Sequence, residues 1–108
     1  DAGGEILNIM LTQTQVLDVL RGSKDELRQR FHVVKIGLFG SFARQQQTAT
    51  SDLDLLVEFE ENTENLFELK AELRSWVKEK LGLDSDIARE RYLRPTAKAH
   101  ILNEAIFV

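Results

Sequence analysis

Apolar residues along this chain follow two spacings, and the wider spacing predicts helices. Near the start, Val16, Leu17 and Leu20 recur three or four residues apart, as they do on one face of a helix. Ser23 and Glu26 then stand three residues apart, which is the pattern of a capping box that begins a second helix. The predicted helices cover about 14–20, 23–30, 63–82 and 96–105.

The third and fourth of these helices have recognisable ends. The third repeats apolar residues at helical spacing, is expected to be capped near Thr63, and is stopped by Gly82. Pro95 precedes the fourth helix, whose sequence is TAKAHILNEA. These boundary signals therefore agree with the two helices that the apolar spacing predicts.

Shorter segments, rich in β-branched or alternating apolar residues, predict the strands of one sheet. The segment 32–39, HVVKIGLF, is typical of a buried strand, and 52–59 alternates acidic and apolar residues before an apolar run. Segment 84–88, DSDIA, is a shorter strand candidate, and 106–108, IFV, is a predicted edge strand. This order of elements predicts an α/β (α+β) fold, in which helices flank a small mixed sheet.

The length of 108 residues suffices for one core, and we expect a single domain over residues 1–108. Residues 1–4, Asp-Ala-Gly-Gly, lack the basic start and long apolar core of a signal peptide. We expect about 1–11 to form a flexible N-terminal end. No apolar run approaches the ~20 residues of a membrane span, so no membrane association is expected.

Charge and cysteine content exclude several classes of function. The net charge is −4, the pI is about 5.2, and the basic residues are scattered. Binding nucleic acid through its phosphates needs a basic face, so we expect no nucleic acid substrate. The chain has no cysteine, which removes disulfide frameworks, cysteine zinc sites and thiol nucleophiles. This composition fits a reducing cytoplasm, where we expect the protein to act.

Gly40 and Ser41 end the first predicted strand and offer a place for a phosphate. A helix that starts at this point presents free backbone N–H groups and a partial positive charge. Gly40 allows close approach of a ligand, the Ser41 hydroxyl adds a donor, and Arg44 is expected one turn into the helix. The alternative is an ordinary glycine turn with a serine cap.

Asp52 and Asp54 begin the next predicted strand. Residues two apart in a strand share a face and lie roughly 7 Å apart, so both carboxylates can converge on hard cations such as Mg²⁺. The flanking leucines, Leu53, Leu55 and Leu56, should be buried. The alternative is a solvated strand face. A phosphate cradle beside a metal pair makes the two halves of a nucleoside triphosphate site.

The stretch GSFARQQQTATSDLDLLV, 40–57, resembles the signature of the DNA polymerase beta-like nucleotidyltransferases: Gly-Ser, ten residues, then Asp-x-Asp. LFGSFAR and SDLDLLV are similar to segments of the minimal nucleotidyltransferases, the small antitoxin-type members found beside HEPN-domain toxins. The resemblance covers nearly the whole chain and implies the palm-like core of that superfamily. The family commonly has glycine where this chain has Gln45, which concerns the local turn rather than the metal pair.

The family also uses a third carboxylate on a later strand. The resemblance implies Asp86 for this role, within Ser-Asp-Ile, and Asp84, two residues earlier, is its rival. The alternative is that both are loop acids ahead of an edge strand. Asp86 would complete the shell of the catalytic metal and help to deprotonate the acceptor hydroxyl.

The activity implied by the resemblance is Mg²⁺-dependent transfer of AMP from ATP to a hydroxyl of a partner HEPN toxin. Asp52, Asp54 and Asp86 would be the catalytic residues and would hold two Mg²⁺ ions. Gly40, Ser41 and Arg44 would bind the nucleotide. The alternatives are an antitoxin that neutralises its toxin by binding alone and a transferase for a small molecule. A homo-oligomer is left open.

Overall fold

The computed structural model describes residues 11–108. The expected flexible end at about 1–11, with residues 1–4, therefore lies outside the described residues except for Leu11. Among residues 11–108, no helix is both long enough and apolar enough to cross a membrane.

Two short helices open the described chain, as the apolar spacing predicts. Helix α1 spans Gln13–Gly22 and helix α2 spans Lys24–Phe31. A capping box begins α1: the Thr12 hydroxyl accepts the Gln15 N–H at 3.1 Å, and the Gln15 side chain accepts the Thr12 N–H at 2.9 Å. This pair satisfies two N–H groups that would otherwise lack a partner at the helix start.

The capping box predicted at Ser23 and Glu26 is wrong. Ser23 also closes α1, since its N–H donates to the Leu20 carbonyl at 3.2 Å, and this holds its backbone at φ −110° and ψ 10°. An N-cap side chain needs an extended backbone, and within residues 11–108 the Ser23 side chain makes no capping hydrogen bond. Glu26 instead forms an ion pair with Arg30 at 2.8 Å.

A four-stranded mixed sheet forms the centre of the fold, as predicted. Its spatial order is β3-β2-β1-β4, in which only the β2–β3 pair is parallel. The strands are β1, Val33–Phe39; β2, Leu53–Phe59; β3, Ser85–Ala88; and β4, Ile106–Phe107.

Helix α4, Leu66–Leu81, crosses over from β2 to its parallel neighbour β3. It starts later than Thr63, because the Thr63 hydroxyl donates to the Glu60 carbonyl and belongs to the preceding turn. It ends as predicted at Gly82, whose φ of 74° is the left-handed conformation typical of a residue that closes a helix.

The core lies between one face of the sheet and the helices. Leu53, Leu55 and Val57 of β2 are fully buried and belong to one apolar cluster with side chains of α1, α2 and α4. Alternate residues of a strand point to the opposite face. On that face Leu56 is buried, as predicted for all three leucines, and Asp54 is half-buried.

Two elements meet at the end of β1. The short helix α3, Gly40–Ala43, follows β1 directly, and helix α5, Pro95–Glu104, leads into β4. Because β4 runs antiparallel to β1 with Ile106 opposite Leu38, the same register brings the end of α5 to the start of α3. The C-terminal segment therefore closes over the predicted Gly-Ser site.

Candidate active site

Gly40 turns the chain from β1 into α3 under two constraints. Its φ is 73°, the left-handed region that favours glycine. The Asp54 carboxylate lies directly over it, so that a Cβ at this position would overlap the Asp54 Oδ2 atom. This contact follows from the register, which pairs Asp54 with Phe39, the residue before Gly40. Gly40 therefore joins the predicted phosphate half of the site to the metal half.

Asp54 and Asp86 stand side by side on the sheet. They are register partners on the parallel strands β2 and β3, and neighbouring positions of this kind share a face. Burial, followed by the negative charges of Asp86 and Asp52, raises the pKa of Asp54 above its ordinary value. The charged form of Asp54 is therefore disfavoured, first by burial and then by its two acidic neighbours.

The other two acids lie at the margin of this corner. Asp52 is exposed and precedes β2, which begins one residue later than predicted. Asp84 precedes β3, and its side chain is 76% exposed and pairs with Lys78 at 3.5 Å. Asp86, and not Asp84, is therefore the neighbour of Asp54. In the described part of the chain, no three His, Cys, Asp or Glu side chains lie together as a group that could hold a metal ion, so Asp52, Asp54 and Asp86 are not gathered into such a group.

The predicted phosphate residues lie on and just beyond α3. Ser41 is half-buried in this four-residue helix. Arg44 does not lie inside the helix as expected, because α3 ends at Ala43 and Arg44 is its C-cap residue. The Arg44 side chain remains close to the site, where its Nη1 atom contacts Glu104 at 3.0 Å.

Gln45 explains why the helix is so short. Its φ is 57°, in the left-handed region, which ends the helical turn. Glycine adopts this conformation at little cost, whereas a residue with a Cβ pays roughly 1–2 kcal/mol. Gln45 therefore adopts a conformation that favours glycine, the residue that the resemblance implies at this position.

Glu104 is part of the site, although the sequence analysis missed it. One of its carboxylate oxygens, Oε2, accepts the Gly40 N–H at 2.6 Å, and both oxygens lie within 3.2 Å of Arg44 Nη1. Burial raises the pKa of Glu104, but the hydrogen bonds from Gly40 and Arg44 outweigh it and hold the pKa below its ordinary value. The predicted edge strand IFV follows Glu104 in the sequence, but its pairing with β1, which places Glu104 near Gly40, is a tertiary feature that the structure supplies.

Gln13 of α1 also supports the site and was not singled out in the sequence. Its side-chain amide donates to the carbonyls of Phe42, at 3.2 Å, and Ala43, at 2.8 Å. These carbonyls lie at the end of α3, where backbone acceptors run short of helical partners, and the Phe42 carbonyl also accepts the Gln45 N–H at 3.2 Å. Gln13 thereby ties the site helix to the core helices.

Similarity to known proteins defines the class to which this fold and site belong. Residues 20–108 match the family described as Nucleotidyltransferase domain. The chain belongs to this nucleotidyltransferase family, which confirms the resemblance drawn from its Gly-Ser and Asp-x-Asp motifs and makes it an enzyme of that class.

Individual relatives are similar over most of their length. The protein adenylyltransferase MntA of Thermococcus cleftensis is 36% identical over 99 residues, which are 92% of this chain and 98% of that protein. A solved structure provisionally described as a minimal nucleotidyltransferase is 35% identical, with a TM-score of 0.72 over 89% of this chain and 95% of the other. A toxin–antitoxin crystal structure with AMP-PNP has the same fold, with a TM-score of 0.61 at 21% identity over 90% of this chain and 72% of the other.

Proposed function

We propose that this protein is a Mg²⁺-dependent protein adenylyltransferase that transfers AMP from ATP to a hydroxyl of a partner HEPN-domain toxin. The contact of the Asp54 carboxylate with Gly40 carries the proposal, because it brings the metal-type residues against the turn expected to meet phosphates. The names of two similar proteins support it: one is a protein adenylyltransferase, and one is a toxin–antitoxin complex with an ATP analogue.

The acids at this corner suit magnesium. Asp52, Asp54 and Asp86 offer only carboxylate oxygens, which are the ligands that Mg²⁺ prefers. Burial, and after it the charges of Asp86 and Asp52, raises the pKa of Asp54, and a cation bound beside this carboxylate would favour its charged form. Bound Mg²⁺ would neutralise charge on the phosphates and on the leaving pyrophosphate.

The proposed triphosphate contacts come from the turn after β1. Gly40 contributes by the absence of a side chain, which lets a ligand approach the backbone. Ser41 offers a hydroxyl donor, and Arg44 offers the guanidinium fork that matches phosphate oxygens. The positive charge of Arg44 lowers the pKa of Asp54, whereas burial and the neighbouring acids raise it.

Asp86 is the proposed group that assists the acceptor. It is exposed on β3, an outer strand of the sheet, where a large acceptor can approach. In the proposed reaction the acceptor hydroxyl oxygen bonds to the α-phosphorus of ATP, the bond to the β-phosphate oxygen breaks, and pyrophosphate leaves. Asp86 helps to take the hydroxyl proton.

The test is the mass of the partner. The protein is incubated with ATP, Mg²⁺ and the protein encoded beside it, which we expect to be the HEPN-domain partner, and that partner is analysed by intact mass spectrometry. We expect the wild type to add one or more AMP units, Asp54→Asn to add none, and Asp84→Asn, which removes an exposed acid of the same type, to act like the wild type.

A partner that is neutralised without any gain in mass, equally well by Asp54→Asn, would instead support an antitoxin that acts by binding alone. AMP found on an added small molecule but not on the partner would support a small-molecule transferase.

A further inference from the structure

We infer that Glu104 is a positioning residue, which fixes the Arg44 guanidinium so that its free N–H groups are presented to the triphosphate. This inference rests on the proposed function, since it assigns a role within the same nucleotide site. Glu104 lies outside both sequence motifs, at the end of α5, and reaches the site only through the pairing of β4 with β1.

Glu104 is held tightly enough to act as an anchor. Its side chain is only 13% exposed, and its two oxygens accept hydrogen bonds from the Gly40 N–H and from Arg44 Nη1. A carboxylate that accepts several such bonds has little freedom to rotate, and charge-assisted bonds are about twice as strong as neutral ones. The Arg44 guanidinium is therefore held by a carboxylate whose own position is fixed.

A second side chain, that of Gln46, also contacts Arg44. Its Nε atom donates to the Gln46 side chain at 3.1 Å, while Nη1 donates to Glu104. Within residues 11–108, the remaining terminal nitrogen, Nη2, makes no hydrogen bond, and the side chain is 43% exposed. Two contacts thus orient the guanidinium plane and leave one edge available for an anion.

Such an arrangement reduces the entropic cost of binding. An arginine side chain loses rotamer freedom when a ligand immobilises it, and a side chain that is already fixed has less to lose. Glu104 also accepts a hydrogen bond from the Gly40 N–H, and this bond stabilises the left-handed turn beneath Asp54. Glu104 therefore links the arginine to the turn that meets the acids.

A rival role predicts the opposite result. Glu104 could occupy the place of a phosphate and compete with the nucleotide, because it already uses the donors of Gly40 and Arg44. Glu104→Gln keeps the shape and removes the charge. Loss of a positioning carboxylate weakens nucleotide binding, whereas loss of a competing carboxylate strengthens it.

The experiment measures ATP binding by titration calorimetry, with Mg²⁺ present, for the wild type, Glu104→Gln and Glu104→Ala. We expect Kd to rise about tenfold in both variants, which corresponds to about 1.4 kcal/mol. Glu90→Gln is the matched control, since Glu90 is also a partly buried carboxylate in ion pairs, with Lys35 and Lys98. It should bind ATP like the wild type.

A double-mutant cycle separates positioning from a general effect on folding. In an Arg44→Ala background, Glu104→Gln should change Kd less than twofold, because its effect passes through Arg44. Gln46→Ala, an exposed substitution that removes the second contact of Arg44, should weaken ATP binding even if the Glu104 variants fold poorly. Thermal unfolding of each variant establishes that it is folded.

The outcomes of these titrations distinguish failure of the positioning role from failure of the proposed function. Unchanged or tighter ATP binding by Glu104→Gln, or an equal loss in the Arg44→Ala background, would overturn the positioning role and leave the proposed function intact. No ATP binding by the wild type itself would overturn the proposed function and this inference with it.

Discussion

At the scale of single residues, Gly40 is the position where the two halves of the site touch. Its left-handed backbone and the Asp54 carboxylate above it both exclude a side chain. Gly40→Ala should lower stability by about 1–3 kcal/mol, because the new Cβ meets Asp54 in a strained conformation, and should weaken Mg·ATP binding.

Gly22→Ala is a matched control for that substitution. Gly22 lies at the end of α1 with no heavy atom within 4 Å of an added Cβ. Alanine should be neutral or stabilising there, by up to about 1 kcal/mol. Thermal unfolding and ATP titration check both variants, and a Gly40→Ala protein that binds ATP normally would contradict the close contact.

Asp54 should make the stability of the protein depend on pH in a defined direction. Its raised pKa means that the folded state binds the proton more tightly than the unfolded state does. Stability is then lost as the pH rises from the ordinary value of 3.8 through the raised folded value. Without Mg²⁺, Asp54→Asn should therefore unfold at a higher temperature than the wild type at pH 7, and this advantage should disappear below pH 3.8.

The control for this charge effect is Asp84→Asn, which removes an exposed acid and should change the melting temperature little. Added Mg²⁺ should raise the melting temperature of the wild type and not that of Asp54→Asn. A wild type that is more stable than Asp54→Asn at pH 7 in the absence of metal would show that the charged form of Asp54 is not disfavoured.

Gln45 should be improved by glycine. Its φ of 57° costs a residue with a Cβ roughly 1–2 kcal/mol, which exceeds the roughly 0.5–1 kcal/mol of extra entropy that glycine loses on folding. Gln45→Gly should stabilise the protein by about 1 kcal/mol in denaturant unfolding. Gln46→Gly, at a neighbour outside the left-handed region, should destabilise it, and the opposite order would contradict the assigned turn.

At the scale of elements, the apolar spacing predicted the helices, the mixed sheet and the edge strand at IFV. These features depend on periodicity, which burial enforces locally. The details that were wrong depend on competition between neighbours. Ser23 failed as a cap because it also closes α1, and Arg44 fell outside α3 because Gln45 ends the helix.

The parts of the site that were missed come from other elements. Asp54 and Gly40 could be found within one continuous motif, and the register of β2 with β1 brings them together. Glu104 and Gln13 reach the same place from α5 and α1, through tertiary contacts that no local spacing in the sequence reveals. A single sequence therefore indicates which residues carry the chemistry of this site, but not which residues from other elements hold them in place.

The hydrogen bonds from Gln13 of α1 to the end of α3 should contribute to stability and to ATP binding. Gln13→Ala leaves two carbonyls at the end of α3 without their side-chain donor and should cost about 1–2 kcal/mol of stability. ATP binding should weaken with it, because Ser41 lies on the same short helix. Gln29→Ala, at an exposed position of α2, is the control and should change neither quantity. Full ATP affinity in Gln13→Ala would show that α3 needs no support from α1.

At the scale of the whole molecule, the site corner is open and acidic. The net charge is −4, and Asp86 is exposed on an outer strand. A groove of about 840 Å³ lies at the opposite ends of β1 and β2, where it is lined by His32, the loop 60–65 and the first turns of α4. This groove lies away from Asp54, and the exposure of Asp86 agrees with an acceptor carried on the surface of a partner.

The most direct test of the central claim follows the α-phosphate of ATP. The protein is incubated with Mg²⁺, the proposed HEPN-domain partner and ATP labelled on either the α- or the γ-phosphate, and label in the partner is measured. We predict incorporation from the α-phosphate only, and its loss in Asp54→Asn but not in Asp84→Asn. Incorporation from the γ-phosphate, or α-label that persists in Asp54→Asn, would contradict AMP transfer at this site.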